Sequence, residues 1–181
     1  SAGLRIDPDS SPMFSASYEF DAVAIRFMKT MPFLTNAAGF SSIANNRMVV
    51  ALDSGTVLSD HGGLLGLSGT VLTIVDTRKI PADAVLDLRS QGSTTGLLSL
   101  LNRQPFAVMD RANLPVTLTT GRAETTGQIR WPLMPRPPRA LIGFEIETEL
   151  ADVRSETLVP GRVVSAPLLL VATDPHGVTI E

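Results

Sequence analysis

Residues 144–150 read FEIETEL, and this stretch decides the fold class of the chain. Phenylalanine, isoleucine, threonine and leucine stand at the even positions, and three glutamates stand at the odd positions. Because successive side chains of a β-strand point to opposite faces of a sheet, this order produces one apolar face and one acidic face. A helix would mix the two sets. The stretch therefore predicts a strand that is covered on one side and wet on the other.

Alternating or β-branched segments recur on both sides of this stretch. The 14 glycines and 13 prolines divide the chain into segments that are short for helices and suitable for strands. Residues 163–172 are apolar at most positions, which is typical of a strand covered on both faces, and residues 178–180 begin its hairpin partner. A turn is expected at residues 53–55. Residues 18–28 are predicted as a strand or a pair of strands, and further strands are predicted at residues 48–52, 67–76, 83–89 and 128–133.

One segment, residues 92–102, has the pattern of a helix. Ser93 or Thr94 provides an N-cap, Leu97, Leu98 and Leu101 fall on one side, and Pro105 prevents continuation. We expect a two-turn helix that plugs one end of the sheet. The residues thus predict a mainly β protein with one short helix.

The 181 residues suit one domain or one and a half units of a repetitive sheet. Residues 1–15 are interpreted as a cloning scar with an N-terminal extension, residues 16–138 as a first sheet unit with its helix near 94–102, and residues 139–181 as the start of the next unit. The strand pattern at the C-terminus has no closing turn, so we expect a piece of a longer protein. A weak echo, Asp-x-Arg after an apolar strand, links residues 76–78 to residues 152–154, 76 positions later.

Composition excludes several function classes. The 15 basic and 18 acidic residues give a net charge of −3, and the basic residues are scattered, which argues against a nucleic-acid partner. The mean hydropathy is +0.20, which is apolar for a chain whose longest nearly uncharged apolar run, residues 163–172, is too short to span a bilayer. Without cysteine, the chain has no disulfide and no thiolate chemistry.

Candidate catalytic and metal-binding residues are few. Ser59, Asp60 and His61 adjoin one another, yet the glycines that follow favour a solvated turn over a catalytic triad, and His176 has the setting of a β-turn residue. The glutamates of residues 145–149 could form a cation ladder, although a solvated outer face explains them better. We therefore expect no catalytic residue, no metal site and no cofactor. The proline-rich residues 131–139 are interpreted as a stiff connector, with a polyproline ligand as the alternative.

The chain supplies more alternating apolar positions than a thin sheet buries by itself. Such a face needs a cover, which can be another sheet, a helix or an apolar ligand. One hypothesis is a concave face that accommodates lipid, and the other is an ordinary sandwich core filled by side chains. Under the first hypothesis, the lipid-facing residues are Ile129, Trp131, Leu133, Phe144, Ile146 and Leu150.

Residues 144–180 resemble the repeated unit of the AsmA-like superfamily of Gram-negative envelope proteins. The most specific part is LVPGR at residues 158–162, where the family has a turn between two strands. Upstream, residues 20–27 and residues 97–102 look like the preceding unit of the same proteins. The resemblance covers most of residues 16–181.

The resemblance implies a curved antiparallel sheet, groove-like or taco-like, in the periplasmic part of a protein anchored in the inner membrane. It further implies movement of phospholipid between the inner and outer membranes and maintenance of the outer membrane. The family has no catalytic residues to carry over, so a non-enzymatic protein without cofactors is expected, with phospholipid as its partner and no assigned protein partner. The alternative is a β-sandwich structural or protein-interaction module with a self-filled core.

Overall fold

The computed structural model describes residues 2–5, 13–26, 30–104, 106–175 and 177–181. The described chain is mainly β, as the alternation predicts, and its strands form one antiparallel sheet. The strands are β1 (Ala2–Arg5), β2 (Met13–Ile25), β3 (Leu34–Ala44), β4 (Arg47–Leu58), β5 (Leu64–Gly66), β6 (Val71–Ile74), β7 (Asp83–Ser93), β8 (Thr120–Pro132), β9 (Gly143–Val159), β10 (Arg162–Asp174) and β11 (Gly177–Ile180). The helices are α1 (Thr94–Leu101) and α2 (Val108–Ala112), and a 3₁₀ turn occupies Arg139–Leu141.

Strand order follows chain order across the sheet, so most neighbours are joined as hairpins. Two short strands lie between β4 and β7. β5 pairs with the C-terminal end of β4, β6 pairs with the N-terminal part of β4, and both short strands pair with β7 on their other side. The predicted boundary between the two sequence units falls between residues 138 and 139. β8 lies before this boundary and β9 after it, and the two strands pair, so both units lie in the same sheet. This topology brings every predicted strand into one continuous surface.

Irregularities in the strands give the sheet its curvature. Ala22 in β2, Asn36 in β3 and Asp152 in β9 have left-handed backbone φ angles of +52°, +51° and +53°. Register shifts accompany them in the β2–β3, β3–β4 and β8–β9 pairs. An extra residue on one strand bends that strand and increases the local twist, so these bulges bend the sheet.

The register defines two faces of the curved sheet. We call inner face the side that carries the buried residues Leu34, Ala37, Val57 and Leu65, and outer face the opposite side. Since paired residues point the same way, the inner face can be followed strand by strand. Across the sheet it carries Tyr18 and Phe20, Ser41 and Ile43, Met48 and Val50, Leu72 and Ile74, Leu86 and Leu88, Ile129 and Trp131, Phe144 and Ile146, and Leu169 and Val171.

Helix α1 covers one end of the inner face, which we call the helix end. Ser93 is its N-cap and accepts a hydrogen bond of 3.0 Å from the Gly96 amide, as the sequence predicts. Leu100 packs on the cluster of Leu34, Ala37 and Val57. The buried positions of α1 are Thr94, Gly96 and Ser99, so small residues rather than leucines make its closest approach. The second helix, α2, has no counterpart in the sequence prediction.

Three local predictions are wrong. The sequence indicates a turn at residues 53–55, but β4 continues through them. The strand has a bulge there and stays paired within the sheet. Residues 163–172 lie in β10, but they are not covered on both faces: Leu168 and Leu170 are exposed on the outer face. The predicted strand 67–76 is shorter and forms only β6, with a turn before it.

The Asp-x-Arg echo does not mark equivalent structures. Asp76 lies in the turn after β6 and binds Arg78 with two side-chain hydrogen bonds of 3.0 Å. Asp152 lies inside β9, at the bulge, and pairs across to Arg122 in β8 at 3.0 Å. Arg154 pairs instead with Glu156. The two segments have the same Asp-x-Arg sequence, but they lie in different structural elements and their aspartates bind different arginines.

Candidate functional site

Five of the six predicted lipid-facing residues lie together on the inner face. Ile129 in β8 stands directly opposite Phe144 in β9. Ile146 lies opposite Gly127 and Leu150 opposite Ala123, while Trp131 pairs with Ala84 of β7. Ile129, Trp131, Phe144 and Ile146 therefore form one patch on β8 and β9, whereas Leu150 lies on the same face but beyond Thr148, nearer the helix end. This placement follows from alternation, because residues two apart on a strand share a face.

Leu133, the sixth predicted residue, lies outside the strand. β8 ends at Pro132, and the Leu133 amide donates a 2.7 Å hydrogen bond to the carbonyl of Ala82. Its side chain is 42% exposed. It sits at the rim of the patch, in the loop that joins β8 to β9.

The inner face is buried at the helix end and partly buried beyond it. Leu34, Val57, Leu65 and Ala123 are at most 5% exposed. By contrast, Ile129, Trp131, Phe144, Ile146 and Leu150 are all only partly buried. Because the cover of α1 ends before this stretch, apolar area remains accessible there, which is the arrangement expected of a surface that takes a further apolar partner.

The same face continues beyond the residues that the sequence singled out. Met48 and Val50 in β4, Leu72 in β6, and Leu86 and Leu88 in β7 lie on it and are partly buried. Each belongs to a recognisable alternating segment, so that signal was present in the sequence. Their membership in one surface depends on the strand order, which the alternation does not specify.

A row of hydroxyl groups crosses the inner face next to α1. Ser90, Thr125 and Thr148 stand side by side on β7, β8 and β9, and all three are buried. The hydroxyls of Thr125 and Thr148 are 3.1 Å apart and bond to each other. Each of these two hydroxyls therefore has a hydrogen-bond partner without water. The row lies between the covered end and the apolar patch.

The outer face beneath the patch is acidic and exposed. Glu145, Glu147 and Glu149 of β9 point to it and lie opposite Gln128, Thr126 and Glu124 of β8. Among the residues that the structure describes, no group of three potential ligands is arranged to hold a metal ion. The glutamates keep this side of the sheet in water.

The residues Ser59, Asp60 and His61 serve a loop rather than a triad. The Ser59 hydroxyl donates to the carbonyls of His61 and of Gly63, the latter at 2.7 Å. The His61 amide donates to Ser99 of α1 at 3.2 Å. The Asp60 carboxylate binds the guanidinium of Arg103, with 2.9 Å from Nε to Oδ2. These groups fasten the loop to the end of α1, and His176 lies outside the described residues.

A cavity of about 360 Å³ lies elsewhere, beside the start of α1. Its lining comes from residues 91–93 of β7 and residues 121–124 of β8, with Arg122 and Glu124 among them. It contains none of the predicted lipid-facing residues. This hollow is therefore distinct from the apolar patch.

Comparisons with protein-family models, with curated proteins and with solved structures found no match to this chain. In the described ranges, neither helix is long and apolar enough to cross a membrane.

Proposed function

We propose that this chain is a non-enzymatic lipid-binding part of an AsmA-like envelope protein. In this proposal phospholipid acyl chains lie along the partly buried stretch of the inner face, and the protein guides them between the inner and outer membranes, contributing to outer-membrane maintenance. The parent chain is anchored in the inner membrane, and this part lies in the periplasm.

The observation that carries the proposal is a continuous row of apolar residues on the inner face. It runs from Met48 and Leu72 through Leu86 and Ile129 to Phe144, with a partner on the neighbouring strand at each step. An acyl chain needs a continuous apolar track rather than specific contacts. Burial of apolar surface supplies about 25 cal/mol per Å², which is sufficient to hold such a chain without directed bonds.

The distribution of charge supports the same proposal. The ionisable residues of β9 before its bulge, Glu145, Glu147 and Glu149, all lie on the outer face. The inner side of β9 over the same stretch carries Phe144, Ile146, Thr148 and Leu150. A lipid tail on the inner face therefore meets no buried charge, whose desolvation would oppose binding.

The alternative, a β-sandwich module with a self-filled core, has less support. A sandwich packs two sheets face to face, whereas the strands of the described residues all belong to one sheet. Among the described residues, a helix packs on the inner face at the helix end, where Leu100 contacts the cluster of Leu34 and Val57. The patch around Ile129 retains exposed apolar area.

Photo-crosslinking tests the proposal without a destabilising substitution. The photoreactive residue benzoylphenylalanine replaces Phe144 on the inner face or, as the matched control, Glu145 on the outer face. The protein is produced in bacterial cells, irradiated and analysed by mass spectrometry. We expect phospholipid adducts at position 144 and far fewer at position 145.

Extraction of lipid from the unmodified protein completes the test. Co-purified phospholipid, together with adducts restricted to position 144, supports lipid binding on the inner face. If no lipid co-purifies and the two positions label equally, the proposal is wrong and the face serves only to pack the protein.

A further inference from the structure

Two loops lie side by side at the end of the sheet opposite α1. They are residues 75–82, between β6 and β7, and residues 133–142, between β8 and β9. Asp83 pairs with Pro132 at the bases of the two loops, and the Leu133 amide donates to the Ala82 carbonyl. We call this region the loop end. The second of these loops contains the 3₁₀ turn Arg139–Leu141, and neither α1 nor α2 belongs to either loop.

Large apolar side chains project into solvent from the loop end. Ile80 is 95% exposed, Leu141 is 55% exposed, and Leu133 and Met134 are 42% and 39% exposed. Exposed apolar residues that cluster in neighbouring loops, unlike single scattered ones, mark a surface for a partner. The fold gains nothing from Ile80, since almost none of its side chain is buried.

The charge at the loop end contrasts with that of the whole chain. Residues 130–142 contain three arginines and no acidic residue, while the chain as a whole carries −3. Arg136 is exposed. In the neighbouring loop, Arg78 and Lys79 are balanced by ion pairs with Asp76 and Asp83. Two of the three arginines, Arg136 and Arg139, belong to the connector between β8 and β9, and Arg130 belongs to the end of β8 next to it.

We propose that the loop end docks onto the surface of an anionic lipid bilayer. Apolar tips flanked by arginine match the two components of an interface between water and anionic lipid: the tips enter the acyl boundary, and the arginines meet the headgroups. A protein partner would need a shaped surface around Ile80, whereas a bilayer accepts such a protruding tip directly. The charge complementarity thus favours a membrane as the occupant.

Docking here would bring the apolar patch of the inner face next to the bilayer, because Trp131 and Phe144 lie in β8 and β9 close to the loop that joins them. That consequence rests on the proposed lipid binding, but docking itself does not. The loops would bind a membrane even if the inner face carried no lipid.

Vesicle co-sedimentation of the full chain tests the docking. The probes are phosphatidylcholine vesicles with and without phosphatidylglycerol. We expect binding to the anionic vesicles that weakens as salt rises, and little binding to the neutral ones. The double variant I80D/L141D should lower the partition coefficient by about tenfold or more, because each substitution removes an apolar anchor and adds a charge that anionic lipid repels.

A matched variant at the opposite end controls for charge and exposure. In L158D/V163D the two residues replaced are 53% and 54% exposed, and the net charge changes by the same amount. We expect its partition to stay within about twofold of the unmodified protein, since the altered side chains are distant from the loop end. Likewise Arg136→Gln should weaken binding and Arg162→Gln, at the start of β10, should not.

The outcomes separate this inference from the proposed function. Equal losses in both double variants, or binding to neither kind of vesicle, overturn the docking. A change of oligomeric state in I80D/L141D without loss of vesicle binding also overturns it, and points to a second copy of the chain as the occupant. If docking fails while position 144 still crosslinks to lipid, only the docking is wrong. If docking succeeds and crosslinking fails, only the proposed function is wrong.

Discussion

Ile129 and Phe144 stand directly opposite each other on β8 and β9, and both are partly buried on the inner face. Their neighbours along β9, Glu145 and Glu147, point to the outer face. A single pair of adjacent strands therefore presents hydrocarbon on one side and carboxylate on the other.

A charge placed on the inner face should displace lipid. We expect Ile129→Asp to lower the amount of co-purified phospholipid by roughly tenfold or more, because a carboxylate among acyl chains costs about 3 kcal/mol. Thr126→Asp, on the outer face of the same strand, is the control and should retain lipid. Lipid is measured by extraction and mass spectrometry, and circular dichroism confirms that both variants are folded. Equal retention by the two folded variants would contradict lipid binding at this patch.

The close approach of α1 to the sheet makes Gly96 sensitive to enlargement. A Cβ at this position would lie 3.0 Å from Leu65 Cδ1 and 3.2 Å from Ser59 Oγ, so a larger side chain must push the helix away. We expect Gly96→Val to lower the free energy of unfolding by about 1–3 kcal/mol. Gly143→Ala serves as the comparison, because a Cβ there would meet nothing within 4 Å. Denaturant titration measures both, and similar stabilities for the two variants would argue against tight packing of α1.

Arg103 fastens two loops to the end of α1. Its guanidinium binds the Asp60 carboxylate and also donates to the carbonyl of Thr30 at 2.9 Å. Arg103→Ala should therefore destabilise the protein by about 1–2 kcal/mol, and Asp60→Ala by less, since the second variant keeps the bond to Thr30.

A double-mutant cycle isolates the contribution of the ion pair. The coupling free energy between Arg103→Ala and Asp60→Ala should be about 0.5–1 kcal/mol, because the pair is partly exposed. Thermal unfolding of the four proteins supplies the numbers. A coupling of zero would mean that Arg103 acts through Thr30 alone.

The turn after β6 contains an aspartate, Asp76, whose pKa is lowered. Hydrogen bonds from the Arg78 side chain and then from the Arg78 amide hold the pKa of the Asp76 carboxyl below its ordinary value. A group with a lowered folded-state pKa stabilises the fold above its unfolded pKa, and this contribution disappears as the pH falls through the folded pKa.

Replacement of Arg78 tests that assignment. In Arg78→Gln we expect the pKa of Asp76 to rise toward its ordinary value, because the charged donor is gone. Carboxyl chemical shifts followed by NMR against pH measure the change. Lys79→Gln is the control, since the Coulombic effect of Lys79 on Asp76 is the smallest contribution. A larger rise in the control than in Arg78→Gln would assign the effect to the wrong residue.

Local sequence patterns predicted much of the fold. The alternation at residues 144–150 predicted both the strand β9 and the face of each of its side chains, because the two-residue period of a strand is a property of the backbone. The cap at Ser93 likewise predicted the start of α1, since a side-chain oxygen next to the first turn satisfies a free amide locally. Five of the six candidate residues share the inner face for the same reason.

Other features were beyond local patterns. Asn36 and Asp152 adopt left-handed conformations that their residue types permit but do not require, and the pairing of neighbouring strands selects them. Leu168 and Leu170 looked buried because they are apolar, yet what covers a strand depends on the elements packed against it. The partner of Asp152 is Arg122, 30 positions earlier, rather than the nearby Arg154.

The amino-acid sequence by itself determined that the chain forms strands, which side chains share a face with which, and where α1 begins. These properties depend on the backbone period and on contacts within a few residues. Only the tertiary structure decided the order of the strands, the curvature at the bulges, and how far α1 covers the inner face. Those properties arise from pairings between distant segments, whose free energies depend on the whole sheet rather than on any one stretch of it.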